Sequence, residues 1–373
     1  MNSDINVDMM KPYFLNETNN TNKTNNTNKT NNTNNTNNNK INKNTNIKLY
    51  DTFIVNEVNI SKKISKIPHY YNNYEIIVEY HAIEVGTPNE CLLEHLDIIL
   101  NNENNDKYLL ITYNSTKNQT FVDFNTFLFH LKTPKLFIFH VLDSYSYLSD
   151  SLCKLNSLHI CFFDLCPENI VLGENYKPIL KNFQNSLLMC NSIITENTIS
   201  PILHKINNYT YKPLEIHLLY YLMVNDEITM SYSLIDTIID NYITGLQFLY
   251  LFNDNYRENC RKTCIECLTQ YINQSKTEIV NKIFTFYKTW DSYSLSIIYV
   301  HIFAHMIHVF KLQDTIINIL FNHLLNNIHP DPTKRETMSI ACNTLEEMYL
   351  KHTDWSFINT IPNDKLNELY NVL

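Results

Sequence analysis

Only three glycines, Gly86, Gly173 and Gly245, occur in the 373 residues of this chain. Average usage is about 7%. Loops that wrap phosphate groups need glycine, because the backbone must approach the ligand closely and turn where a Cβ would clash. No Gly-x-Gly-x-x-Gly run and no Walker-type loop is present. Any nucleotide site here therefore works without one.

Hydrophobic residues make up 44% of the chain, 12% is aromatic and 18% is charged. That is enough apolar material for a substantial core and excludes a wholly disordered protein. A formal charge of −9 gives no general pull toward nucleic acid or anionic membrane, so neither is an expected partner. Nine cysteines, odd in number and scattered, read as reduced thiols of an intracellular, cytosol-like compartment. Cys260, Cys264 and Cys267 form the one tight cluster. No nearby His or Cys completes a zinc-type set, and the three read as small side chains on one helical face. The N-terminus lacks a signal peptide, and no apolar run reaches the roughly 18 residues needed to span a bilayer.

Asn16 to Asn46 is a tract of Asn and Thr with occasional Lys. It has too few apolar residues to offset the entropy of ordering, so 1–46 is expected to be a disordered tail. From Ile47 the texture changes. Ile60, Ile64 and Ile67 recur at helical spacing after Glu57, and Pro68 is expected to end that helix. Glu75 to Glu84 and Tyr108 to Tyr113 read as strands, and Phe121 to Leu131 and Tyr145 to Leu158 as helices. Strands and loops follow from Ile160 to Ile194, then helix after helix from Pro213. A small mixed sheet (47–113) followed by a helical bulk (114–373) is a two-lobed α+β layout.

Two segments of the strand-and-loop section stand out. One is His159-Ile-Cys-Phe162-Phe163-Asp164-Leu-Cys166-Pro167-Glu-Asn169, and the other Lys177-Pro-Ile-Leu-Lys-Asn182-Phe183-Gln184. Asn169 follows Asp164 by five residues and Asn182 follows it by eighteen. Together they resemble the catalytic and metal-binding loops of the eukaryotic protein-kinase superfamily, His-Arg-Asp-Leu-Lys-Pro-Glu-Asn and Lys-x-x-Asp-Phe-Gly. Tyr211-Lys-Pro-Leu-Glu215 is similar to the close of that family's activation segment. Asp291-Ser-Tyr293-Ser-Leu resembles its large-lobe helix, and Asp331-Pro332-Thr-Lys-Arg335 its terminal Arg motif. The Asn-rich texture and Lys66-Ile-Pro-His-Tyr-Tyr also resemble kinase-like proteins of giant DNA viruses.

The resemblance implies a protein-kinase-like fold with a reduced N-lobe, a helical C-lobe and a helical insertion at about 220–288. It implies Asp164 as the catalytic base, with Asn169 and Asn182 as the oxygen ligands of a magnesium ion holding ATP. Lys48 and Glu57 would be the phosphate-gripping Lys and its helical partner, and Arg335 would pair with Glu215. A protein substrate or protein partner is implied. The pattern also departs from the family. Phe162-Phe163 replaces His-Arg, Cys166 replaces the Lys that steadies the transferred phosphate, and Gln184 replaces Gly. Asn182 replaces the metal-binding Asp, removing a full negative charge from a divalent-cation site. Two readings follow: a divergent Ser/Thr kinase with weakened or lost phosphoryl transfer, or an inactive pseudokinase acting as a binding or scaffold module. Asp291 follows Glu215 by 76 residues, where the family has a short connection, and the insert would place extra helices beside the substrate face.

Overall fold

The computed structural model describes residues 43–83, 107–116, 122–173, 176–189, 195–206, 208–224 and 229–373. Most of the Asn/Thr tract, Glu84, Gly86, Cys91, Cys190 and Ile194 lie outside them.

The chain begins with a three-stranded antiparallel sheet of β1 (Lys43–Leu49), β2 (Ile77–Ile83) and β3 (Tyr108–Thr116), in the order β1-β3-β2. The expected tail boundary at 46 is corrected, because β1 already starts at Lys43. Asn and Thr are poor grounds for a strand by themselves. Here the β3 ladder supplies the hydrogen bonds, with Asn46 opposite Ile111 and Lys48 opposite Leu109. At its far end β3 runs past Tyr113 to Thr116.

Helix α1 (Thr52–Ile64) connects β1 to β2. The Asp51 side chain caps it, accepting from the Ile54 amide at 2.8 Å. Glu57 therefore sits in the second turn rather than opening the helix, and the helix stops at Ile64, before Pro68. Two apolar pairs at i, i+4 divide α1 between two cores. Ile54 and Val58 join Ile77, Leu109, Ile111 and Tyr113 in a small core under the sheet. Ile60 and Ile64 belong to the main core below. One helix thus couples sheet and helical region through packing.

The rest of the chain is mostly helical. A short strand β4 (Val122–Asp123) leads into α2 (Phe124–Leu128), where one continuous helix to Leu131 was expected. β4 forms because it pairs with a strand some fifty residues later, a non-local contact invisible to periodicity. The long α3 (Pro134–Ser157) starts well before the expected Tyr145, with Thr133 as cap and Pro134 in the first turn. Then come β5 (Ile160–Cys161), β6 (Ile170–Leu172), β7 (Pro178–Leu180) and β8 (Leu187–Leu188), in two small antiparallel pairings, β4-β6-β7 and β5-β8.

Helices α4 (Glu196–Lys205), α5 (Leu214–Val224), α6 (Tyr232–Gly245), α7 (Asp254–Thr269) and α8 (Lys276–Phe284) follow. The stretch from Thr244 to Phe252 holds the end of α6 and a short 3-10 turn at Gln247–Leu251. Cys260, Cys264 and Cys267 lie on α7, with Cys264 buried. The chain closes with α9 (Trp290–Phe310), α10 (Ile316–Asn327), α11 (Met338–Lys351) and α12 (Asp364–Tyr370).

Helix α9 is the axle of the helical region. It is apolar nearly all round, and 18 of its residues are buried against α3, α10, α11 and α12. The stretch Tyr287–Phe310 is long and apolar enough to cross a membrane by length and composition, contrary to the sequence expectation, and 83% of its most apolar window is buried within the protein.

Candidate functional site

The loop between β5 and β6 carries Asp164 and Asn169, and the turn after β7 carries Asn182. Backbone geometry at this loop is unusual and firmly held. Phe163 has φ 62°, a left-handed conformation costly for a bulky residue. Asp291, at the start of α9, accepts the Phe162 and Phe163 amides at 2.9 Å each. Burial pushes the Asp291 carboxyl up, and these two amides and Cys161 oppose the shift. The Phe163 ring packs against Trp290, and Phe162 meets Phe183 edge-on. Aromatic residues thus seat the loop where the resemblance would place His-Arg.

The structure brings Asp164, Asn169 and Asn182 together. The Asn169 side-chain amide donates to the Asp164 carbonyl at 2.8 Å, and that of Asn182 donates to Asn169 Oδ1 at 3.1 Å. Asn182 has φ 64°, which Asn tolerates better than most residues. Gln184 Nε2 then donates to Asn182 Oδ1 at 2.6 Å, and Lys205 Nζ on α4 donates to Gln184 Oε1 at 2.9 Å. A single donor-to-acceptor chain runs Lys205, Gln184, Asn182, Asn169, Asp164 carbonyl.

Its direction is set by its ends. An ammonium can only donate and a carbonyl can only accept, so each amide between them has one consistent orientation. Asn169 Oδ1 and Asn182 Oδ1, the two oxygens assigned to a metal ion, each already accept from a protein NH2 group. The Asp164 carboxylate is equally engaged. Lys212 Nζ lies 3.2 Å from Oδ1 and 2.6 Å from the Phe163 carbonyl, while Asn185 Nδ2 lies 2.9 Å from Oδ2. Lys212 is 1% exposed, so its charge is balanced locally by Asp164.

Lys48 and Glu57 also meet. Lys48 Nζ is 3.6 Å from Glu57 Oε2, joining β1 to α1, and Glu57 is 1% exposed. Burial pushes the Glu57 carboxyl up, opposed by Lys48, by a hydrogen bond from Tyr113 and by the Phe183 backbone. Asn56 fixes α1 over the site, its side chain donating to the Gln184 carbonyl at 3.1 Å and the Ser186 carbonyl at 2.8 Å. Lys205 also stacks on Phe53, 3.8 Å from the ring centroid. Burial and Lys48 push the Lys205 ammonium down, and Asp51 and Glu57 pull it up.

Further down, Arg335 ion-pairs with Glu215 across 120 residues, and both are buried. Trp290 Nε1 donates to the same Glu215 oxygen at 3.0 Å. Sequence reading missed Lys205, Lys212, Asn56 and Asn185. Lys212 had a local signal, a Lys between Tyr211 and Pro213 in a quoted motif; the other three had none.

A divalent cation does not fit this donor set. Magnesium favours hard, preferably anionic oxygens in a strict octahedron. Two of the three side chains are neutral amides bonded to NH2 groups, and both carboxylate oxygens of the third face nitrogen donors. No family model matches the chain, and no curated protein matches it.

Proposed function

We propose that the chain is a protein-kinase-like domain that has lost metal-dependent phosphoryl transfer and acts as a binding or scaffold module for a protein partner. One observation carries this reading: the hydrogen-bond chain from Lys205 to Asp164, which sets a protein N–H donor against each oxygen a metal would need. Lys205 stands as a fixed cation at the outer end of that chain. The charge of Asp164, the one carboxylate of the trio, is balanced by Lys212 without an exchangeable ion.

What supports kinase ancestry is the shared arrangement of several quoted motifs. Asp164 and Asn169 share one loop, Asn182 abuts them, Lys48 pairs with Glu57, and Arg335 pairs with Glu215. The Lys48–Glu57 pair also favours a second reading, a weak Ser/Thr kinase that retains its phosphate-gripping lysine.

A transfer assay separates the two. Purified full-length chain is incubated with γ-labelled ATP, magnesium or manganese, and generic Ser/Thr protein acceptors. The expected incorporation equals that of Asp164→Ala. Incorporation at least tenfold above that control would establish the weak-kinase reading instead.

A further inference from the structure

Two cysteines far apart in sequence meet between helices α3 and α11. Cys342 Sγ lies 3.3 Å from the Ser149 carbonyl oxygen of α3. In an α-helix that carbonyl faces the amide four residues on, and side chains lean back over the preceding turn. Four residues on from Ser149 is Cys153. Its side chain therefore lies beside the spot where the Cys342 sulfur rests, and Cys153 is among the groups that act on the Cys342 thiol. The two helices pack along each other here, with the Ser146 and Tyr349 hydroxyls 3.3 Å apart across the same interface. Both cysteines are half-buried, open to a small oxidant yet held by ordered helices.

We propose that Cys153 and Cys342 form an oxidation site, where a hydroperoxide converts the thiol pair into a disulfide joining α3 to α11. The Cys153 thiolate attacks one peroxide oxygen and the O–O bond breaks. This yields a sulfenic acid on Cys153 and releases hydroxide or alkoxide. The Cys342 sulfur then attacks the sulfenic sulfur, forming the S–S bond as the S–O bond breaks. The departing hydroxide takes the Cys342 proton and leaves as water. Two electrons have passed from the sulfurs to the peroxide.

The order of attack follows from the surroundings. Burial, Cys153 and the Asp150 and Glu346 carboxylates all hold Cys342 in its thiol form, which makes it the slower first nucleophile and the resolving partner. The disulfide would close a loop containing Asp164, Lys205, Lys212 and Arg335, whatever the fate of phosphoryl transfer.

The test treats the reduced full chain with hydrogen peroxide, blocks remaining thiols and maps peptides without reductant. The expected product is a dithiothreitol-sensitive peptide pair joining Cys153 to Cys342, with loss of two of the nine thiols. Cys153→Ser and Cys342→Ser should each abolish the pair while keeping the far-ultraviolet circular dichroism of the wild type. Cys342→Ser should also leave Cys153 as a dimedone-reactive sulfenic acid. The proposal is overturned if both cysteines stay reduced while other thiols oxidise. Linkage of either to a different cysteine overturns it equally, as does over-oxidation of Cys153 in the wild type without cross-linking.

Discussion

Replacing Arg335 with methionine is expected to destabilise the protein by about 3–5 kcal/mol, the usual consequence of stranding one partner of a buried ion pair. The Arg335 side chain is 0% exposed and that of Glu215 is 3% exposed. Water cannot take over when the pair is broken, and Glu215 would keep only the Trp290 indole N–H. The guanidinium also lies over the Tyr293 ring, 5.4 Å from its centroid, so the truncation removes packing as well as charge. Glu215→Gln should cost a comparable amount, because it keeps the shape but strands the buried Arg335 guanidinium, which cannot lose its proton. Adding it to Arg335→Met should recover part of the loss, since no buried charge is then left unpaired. Urea unfolding of the three variants measures this directly. A cost below about 1 kcal/mol for Arg335→Met would show that the pair does not hold α5 to the turn before α11.

The second large effect is acid lability. His217 on α5 contacts the Tyr209 carbonyl at 3.0 Å, yet burial pushes its imidazole down to about 4 from an ordinary value of 6.5. The native state thus binds the proton less readily than the unfolded chain. This contribution is fully present above pH 6.5 and is lost as pH falls from there toward 4. At pH 5 the loss from His217 is up to about 2 kcal/mol. His305, also pushed down to about 4 by burial and by its neighbours His301 and His308, acts with the same sign. Glu57 and Asp291 run the other way. Burial raises both, so they cost stability as pH rises through the window just above the usual carboxylate values. His217→Gln, which cannot titrate, should therefore flatten the fall in urea midpoint between pH 7 and pH 5. An unchanged slope would show that His217 is not the group responsible.

Much of the architecture is legible because it is local. The β-branched and aromatic runs of β2 and β3 carry their signals within a few residues, whereas the equally local Thr133-Pro134 start of α3 was missed. α1 was read as starting too late because Phe53-Ile54-Val55 is a β-branched and aromatic run. That composition suits a strand as well as a helix, and only the Asp51 cap decides it. β1 and β4 exist by pairing with distant strands, so composition and period are silent about them.

The site divides in the same way. Asp164, Asn169 and Asn182 could be placed because their spacing is a local pattern. The groups that decide their chemistry could not. Lys205 arrives from α4, Asn56 from α1 and Lys212 from the turn before α5, and nothing near them in sequence marks what they will touch. Asn182, where the kinase resemblance expects Asp, was visible as a missing charge. That its amide donates within a hydrogen-bond chain follows only from the three-dimensional placement of Gln184 and Lys205.

The central claim is tested most directly by the melting temperature of the full-length chain in ATP, with and without magnesium or manganese, compared with Asn182→Asp/Gln184→Gly. Ligand bound only to the native state must stabilise it, by about 2.7 kcal/mol at a hundredfold excess over Kd. The account predicts that adding metal to ATP leaves the wild-type melting temperature unmoved, while the double variant, freed of the Gln184 donor and given back a carboxylate, acquires a metal-dependent rise. A metal-dependent rise in the wild type equal to that of the variant would contradict it.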